Sequence, residues 1–190
     1  PVAQLLLVEV IRSKVNDDDA IRKGASFVLA IGKSPVVVKS APGFLVNRAL
    51  MPYMLEAVDR VEKGESPEQL DEAAVAFGMP MGPIELMDTV GLDVGASVAR
   101  ELGQKVPEDS KFAKLVAAGK LGRKTGEGFY KWEDGKPVKE PAPPHGNLAG
   151  LGRDLVQPLV DAAEEIVAEG VVENADYADI GMIFGTGFAP

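Results

Sequence analysis

The chain has 190 residues, 46% of them apolar, which is enough for one or two domains with hydrophobic cores. Its formal net charge of −9 argues against nucleic acid as a main partner. The absence of cysteine excludes disulfides and thiolate catalysis, and a single histidine cannot build a zinc site. We find no secretory signal and no apolar run near the roughly 20 residues of a membrane span, so we expect a cytoplasmic protein.

The first forty residues predict a strand, a helix and a second strand. Residues 5–11 are an apolar run with one charge, which is typical of a strand buried on both faces in a parallel sheet. The Asn and Asp residues at 16–19 cap a helix whose buried face would be Ile21, Ala25, Val28 and Leu29. Residues 36–38 form the second strand. This order predicts the last piece of an α/β sheet.

After Pro42 the apolar periodicity becomes helical, and the rest of the chain is predicted to be mainly α. Ser66 is the expected N-cap of one helix, with Gln69 closing a capping box. Other helices are predicted along the stripe Leu50, Met54, Val58 and Val61, from Pro83, along the stripe Val94, Val98 and Leu102, and over residues 110–118.

An aromatic hairpin and a proline-rich linker follow these helices. The hairpin covers residues 126–132 and turns at Asp134-Gly135, and the linker contains four prolines between residues 137 and 144. His145 lies in this linker. A catalytic base needs a fixed partner in a walled site, so we do not expect His145 to be catalytic.

A helical pattern recurs beyond the linker, along Leu155, Leu159, Ala163 and Ile166. Three residues of the earlier helix reappear at one constant offset, namely Pro52, Ala57 and Gly64 as Pro158, Ala163 and Gly170. Looser matches follow at Asp179 and at Phe184-Gly185. The sequence therefore suggests a duplicated helical unit whose second copy is incomplete, and both chain ends look cut from a longer polypeptide.

The junction between the second strand and the first long helix has the sequence PGFLVNR at residues 42–48. Pro42 and Gly43 break the strand, and Phe44, Leu45 and Val46 are expected to point inward. Asn47 has two interpretations. It is either a substrate contact at a place where two structural units meet or a buried amide that satisfies backbone groups.

Glu9 is a carboxylate within the apolar run at residues 5–11. If it is buried, it must be paired, hydrogen-bonded or protonated. A carboxylate held on a strand can orient an imidazole and stabilise the imidazolium. The alternative is that Glu9 lies solvated at the end of a strand.

The chain contains no recognised nucleotide-binding motif. Residues 32–34 (GKS) resemble the end of a phosphate-binding loop, but the preceding glycine is missing and the segment follows a helix. No GxGxxG pattern is present. We therefore expect no cofactor-binding residue and no metal ligand in this chain.

Four segments, in order, resemble L-3-hydroxyacyl-CoA dehydrogenase. They are residues 7–11 (LVEVI), 42–48 (PGFLVNR), 78–86 (GMPMGPIEL) and 122–130 (GRKTGEGFY). The second helical copy, with GMIFGTGF at residues 181–188, resembles the longer multifunctional form of the family, in which the dehydrogenase is fused behind an enoyl-CoA hydratase, as in the alpha subunit of the fatty-acid oxidation complex.

The resemblance implies a mainly α fold with helical domains like the C-terminal domain of 6-phosphogluconate dehydrogenase, preceded by the terminal β-α-β piece of a Rossmann domain. It implies a domain division at residues 1–40, 41–140 and 141–190. It also implies oxidation of (S)-3-hydroxyacyl-CoA to 3-ketoacyl-CoA with NAD in β-oxidation. In this family a histidine takes the hydroxyl proton, a glutamate orients that histidine and an asparagine contacts the substrate. By resemblance these last two are Glu9 and Asn47.

The resemblance also implies what this chain lacks. Pro1-Val2 look like the end of the family's His-Phe-Phe-Asn-Pro-Val segment, so the catalytic histidine and the glycine-rich loop would precede Pro1. We expect the chain alone to bind NAD weakly and to be inactive. Expected partners are an acyl-CoA substrate and either further copies of the chain or a thiolase subunit. The alternatives are a non-catalytic helical dimerisation module and a related 3-hydroxyacid dehydrogenase.

Overall fold

The computed structural model describes residues 5–188 and divides into two compact units. One unit combines the chain up to Ala49 with the chain from Val160 onward, and the other is Leu50–Leu159. Each unit has its own buried core, which includes Leu45 in the first and Leu70 in the second. The domain boundaries that the resemblance implies, at residues 40 and 140, are a separate division and stay a prediction.

The first unit contains the predicted β-α-β piece. Strands β1 (Leu7–Arg12) and β2 (Ser34–Lys39) pair in parallel, with Glu9 opposite Val36. Parallel strands require a crossover, which is helix α1 (Asp18–Ala30). The side chain of Asp17 caps this helix by accepting from the backbone N–H of Ala20 at 2.7 Å. The α/β start of the chain is therefore confirmed.

The predicted buried face of α1 is partly wrong. Ile21 and Val28 are buried and Ala25 is half-buried, but Leu29 is 62% exposed. Ile21 and Val28 are seven residues apart, which places them on one line along the helix, whereas Leu29 is turned away from that line by roughly 100°. The buried residues of α1 therefore lie on one narrow line.

The first unit is completed by the C-terminal part of helix α7 (Leu148–Ala168) and by helix α8 (Ala175–Thr186). The backbone N–H of Lys39, at the end of β2, donates to the carbonyl of Val171 at 2.7 Å. Helix α8 packs against both strands. The chain that follows α7 is thereby fixed to the sheet.

Two glycines let α8 approach the start of the helix that follows β2. A Cβ atom at Gly181 would overlap the side chain of Leu45. A Cβ atom at Gly185 would stand 2.6 Å from a methyl carbon of Val46 and 2.8 Å from one of Leu7, closer than side chains pack. Small residues at these two positions therefore set the helix against Leu45 and Val46.

The second unit is mainly helical, which confirms the predicted fold class. The predicted cap at Ser66 is present, because its hydroxyl accepts from Gln69 N at 3.4 Å. Ser110, where a short helix was predicted to start, also acts as a cap, and its hydroxyl accepts from Ala113 N at 3.1 Å. The helices are α2 (Val46–Glu62, in this unit from Leu50), α3 (Pro67–Phe77), α4 (Pro83–Val90), α5 (Leu92–Glu101), α6 (Lys111–Ala117) and the first part of α7.

Two details of the predicted helices are wrong. The amide of Gln69 does not close a capping box but donates to the carbonyl of Pro143 at 3.0 Å, which ties the linker to α3. On α5 the buried residues are Leu92 and Ala99, and Val94 is 42% exposed. Both errors arise because a local pattern does not show where the tertiary partners of a helix lie.

The aromatic hairpin forms as predicted. Strands β3 (Lys131–Glu133) and β4 (Lys136–Val138) pair antiparallel. The two residues between them, Asp134 and Gly135, have φ angles of 49° and 76°, which is the conformation of a two-residue type I′ turn. Across the described stretch, residues 5–188, we find no helix that is long and apolar enough to span a membrane.

The sequence repeat falls on equivalent elements. Pro52 lies inside α2 and Pro158 lies inside α7. Each of these helices is followed by a helix with a side-chain N-cap, supplied by Ser66 before α3 and by Asn174 before α8. That the second copy is incomplete stays a prediction.

Candidate functional site

Glu9 lies in the middle of β1 and its carboxylate reaches the start of α2. It accepts hydrogen bonds from the backbone N–H groups of Leu45, at 2.8 Å, and Val46, at 3.3 Å. The turn that presents these two donors has Gly43 at φ 73° and Phe44 at φ 51°. A non-glycine residue in that conformation is strained by roughly 1–2 kcal/mol, and such strain is concentrated at functional sites.

Burial raises the pKa of Glu9, and its two backbone hydrogen bonds lower the pKa only in part. Glu9 is half-buried and is not at the end of its strand, so the alternative of a fully solvated terminal carboxylate does not describe it. The free N–H groups at a helix N-terminus favour a negative charge there. Glu9 is thus a carboxylate held in a defined position.

Asn47 is the second residue of α2 and is exposed. Its side chain makes no hydrogen bond to any part of the chain that the structure describes. The interpretation as a buried amide that satisfies backbone groups is therefore wrong. Within the same segment Leu45 is fully buried and Val46 is half-buried, but Phe44, which we expected to point inward, is 37% exposed.

Glu9 and Asn47 are brought together by one short segment of chain. The carboxylate of Glu9 binds the amides of Leu45 and Val46, and Asn47 is the next residue. Any group that contacts both side chains would bind at the N-terminus of α2. The arrangement offers one fixed carboxylate and one free amide, which can orient a base and hold a carbonyl or hydroxyl.

Sequence reasoning missed a buried carboxylate in the second unit, Asp71. Its oxygens accept from the N–H of Ile84 at 2.8 Å, the N–H of Glu85 at 3.2 Å, the hydroxyl of Tyr130 at 2.7 Å and the ammonium of Lys139 at 2.9 Å. Burial raises the pKa of Asp71 despite these four donors. The carboxylate joins α3, α4 and the chain after β4.

A second missed carboxylate, Asp88, is fully buried on α4. It accepts from the backbone N–H of Phe129 at 2.9 Å, the backbone N–H of Tyr130 at 2.9 Å and the indole N–H of Trp132 at 3.0 Å. All three donors belong to the aromatic segment before and within β3. Asp88 therefore holds that segment on α4.

Glycines at three positions make room for these carboxylates. A Cβ atom at Gly82 would overlap Asp71, and a Cβ atom at Gly122 or Gly128 would overlap Asp88. These glycines belong to the segments at residues 78–86 and 122–130. The signal that could have found the carboxylates was therefore present, since glycines at helix starts and beside aromatic residues mark close approach.

His145 has no catalytic surroundings. It is exposed in the linker, and its Nδ1 accepts from the backbone N–H of Asn147 at 3.1 Å. Within residues 5–188 we also find no group of acidic residues and histidine that could hold a metal ion.

The described residues do not fit the pyrophosphate of a dinucleotide such as NAD. Such a site needs a glycine-rich turn from a strand into a helix N-terminus. The connection between β1 and α1, residues 13–17, contains no glycine, and the helix start carries Asp17, Asp18 and Asp19. Carboxylates at this position repel phosphate. Pro1-Val2, which we matched to a family segment, lie outside the described residues.

Comparison with known proteins gives consistent matches. Residues 43–132 match the family model for the 3-hydroxyacyl-CoA dehydrogenase C-terminal domain. The chain is 38% identical, over its whole length, to the fatty acid oxidation complex subunit alpha of Shewanella amazonensis, of which it covers 29%. It thus spans about three tenths of the length of the curated relatives that it matches.

Solved structures agree with this match. The chain is 36% identical to (S)-3-hydroxybutyryl-CoA dehydrogenase from Ralstonia eutropha, with a TM-score of 0.63 over 70% of this chain and 50% of that one. A 3-hydroxybutyryl-CoA dehydrogenase from Escherichia coli, 22% identical, shares the fold with a TM-score of 0.76 over 97% of this chain and 58% of that one. Over its residues 43–132, the chain therefore resembles the C-terminal domain of 3-hydroxyacyl-CoA dehydrogenases.

Proposed function

We propose that this chain is part of a longer enzyme that oxidises (S)-3-hydroxyacyl-CoA to 3-ketoacyl-CoA with NAD in fatty-acid β-oxidation. The observation that carries the proposal is that the half-buried carboxylate of Glu9 binds the backbone amides of Leu45 and Val46, and that the next residue, Asn47, is exposed at the same helix N-terminus. Relatives named as dehydrogenases and as fatty acid oxidation complex subunits support the substrate class.

In this proposal Glu9 orients the catalytic histidine. A carboxylate that accepts from an imidazole N–H fixes its tautomer and stabilises the positive charge that the ring gains on taking a proton. The two backbone hydrogen bonds hold the carboxylate still, and these amides together with the helix N-terminus favour its charged form. The histidine itself would come from chain that precedes Pro1.

Asn47 in this proposal contacts the substrate near its reacting carbon. Its amide has both donors and the acceptor available, so it can meet a hydroxyl in the substrate and a carbonyl in the product. The described residues do not fit NAD, so we assign the cofactor to chain outside this sequence and expect the chain alone to show no NAD-dependent turnover.

The proposal for assembly rests on the relatives' names. Those relatives are subunits of a fatty acid oxidation complex, and we propose that this protein also works in a complex, with further copies of itself or with a thiolase subunit. We further propose a cytoplasmic location. No observation in the described residues favours the alternative of a non-catalytic dimerisation module.

The substrate contact is tested by Asn47→Ala in the full-length protein. We expect KM for (S)-3-hydroxybutyryl-CoA to rise roughly five- to thirteenfold, because a lost hydrogen bond to a substrate contributes roughly 1–1.5 kcal/mol, while KM for NAD stays unchanged. Gln104→Ala, which removes an exposed amide from a loop of the second unit, is the control and should change neither value. An unchanged KM in Asn47→Ala would refute the assignment.

A further inference from the structure

The residue after Asn47 makes a two-point ion pair with the end of α7. The guanidinium of Arg48 donates to the two carboxylate oxygens of Glu169 at 2.6 Å and 2.7 Å. The Arg48 side chain is only 22% exposed, and Glu169 raises its pKa while the pKa of Glu169 falls. An ion pair with two parallel hydrogen bonds fixes the relative orientation of the two side chains as well as their distance, because the planar guanidinium matches both carboxylate oxygens.

Glu169 is itself fixed in place. The next residue, Gly170, ends the helix with φ 67°, and the carbonyl of Val171 accepts from the backbone N–H of Lys39 at 2.7 Å. Glu169 is therefore only two residues before the carbonyl that binds the end of β2. The ion pair therefore connects the first turn of α2 to a segment that is itself anchored to β2.

The other side chains of the first turn of α2 are held as well. Leu45 is fully buried and lies against Gly181, and Val46 lies against Gly185, both on α8. Glu9 holds the two amides from the strand side. Of the residues in this segment, Asn47 is left facing solvent without a partner in the described chain.

We propose that Arg48 and Glu169 are a positioning pair for substrate binding, which act by fixing the first turn of α2 so that the amide of Asn47 points at the acyl-CoA. The inference rests on the proposed function of Asn47. Rotation of this turn would carry the Asn47 amide away from its contact, and a displacement of about 1 Å in a positioning group can cost up to a hundredfold in rate. The second helical segment would thus contribute to the dehydrogenase site through Glu169.

The test uses the full-length protein with Glu169→Gln, which keeps the shape of the side chain and removes its charge. We expect KM for (S)-3-hydroxybutyryl-CoA to rise roughly three- to tenfold, as for loss of a well-formed ion pair, while KM for NAD stays within about twofold. Glu165→Gln is the matched control, because Glu165 lies four residues earlier, in the last turn of α7, near Arg48 but without a hydrogen bond to it. It should change neither KM.

A double variant separates positioning from a merely structural role. If Glu169 acts through Asn47, Glu169→Gln should add nothing to the KM of Asn47→Ala, since coupled residues are not additive. Independent, multiplying effects would overturn the inference, as would an unchanged KM in Glu169→Gln. If Asn47→Ala raises KM and Glu169→Gln does not, only the positioning pair is refuted. If Asn47→Ala itself has no effect, the substrate contact and the positioning pair are both refuted.

Discussion

The buried carboxylate of Asp88 gives the sharpest prediction for the stability of the second unit. Asparagine has nearly the same shape but one acceptor oxygen. If that oxygen keeps the hydrogen bonds from Tyr130 and Trp132, its NH2 group faces the N–H of Phe129. An unpaired buried donor costs about 1–3 kcal/mol, and the two remaining bonds lose their charge, so Asp88→Asn should destabilise the unit by about 2–4 kcal/mol.

Urea unfolding of the 190-residue chain, followed by tryptophan fluorescence, measures this effect directly. Trp132 is the single tryptophan and is itself a donor to Asp88. With a slope of about 1–3 kcal/mol per molar urea, the midpoint should fall by roughly 0.7–4 M at unchanged slope. The control is Asp93→Asn, which removes an exposed carboxylate that pairs with Lys124 and should leave the midpoint unchanged. Equal midpoints for the two variants would refute the structural role of Asp88.

Three further predictions concern the same unit and its linker. Gly128→Ala should lower the free energy of unfolding by about 1–3 kcal/mol or more, because its Cβ atom would overlap Asp88. Gly146→Ala, in open space, should leave the urea midpoint unchanged, and equal midpoints for the two variants would contradict the close approach. Burial lowers the pKa of Lys139, but the carboxylates of Asp71 and Glu85 outweigh burial and raise the pKa above its ordinary value. The contribution of Lys139 to stability is therefore full below the unfolded pKa and is lost as pH rises through the folded pKa. Lys139→Met should flatten the alkaline fall of the free energy of unfolding, and an identical pH profile would contradict this. His145→Ala should leave turnover of the full-length protein unchanged, and a large loss would show that the linker takes part in catalysis.

The helices and the β-α-β start were predictable because their signals are local. Asp17, Ser66 and Ser110 cap helices through bonds to residues three positions ahead, and Asp134-Gly135 fixes its own turn. Such contacts form between residues close together in the chain, so a single sequence is enough to predict them.

The errors and omissions all depend on distant partners. Leu29, Phe44 and Val94 are exposed because periodicity locates an apolar face without showing what covers it. Asp71 and Asp88 look like solvated helix residues in the sequence, since their donors are 13 to 68 and 41 to 44 residues away. For Glu9 and Asn47 chemistry left two interpretations open, and the facts that argue against a solvated strand end and a buried amide are tertiary.

The most direct test of the account is the kinetics of Glu9→Gln in the full-length protein, with (S)-3-hydroxybutyryl-CoA and NAD as substrates. A glutamine can still accept one backbone hydrogen bond from Leu45 or Val46, but it cannot stabilise an imidazolium by charge. The account predicts that kcat falls at least about a hundredfold while the Kd for NAD changes less than about twofold. An unchanged kcat, with NAD binding intact, would contradict the assignment of Glu9 as the carboxylate that orients the catalytic histidine.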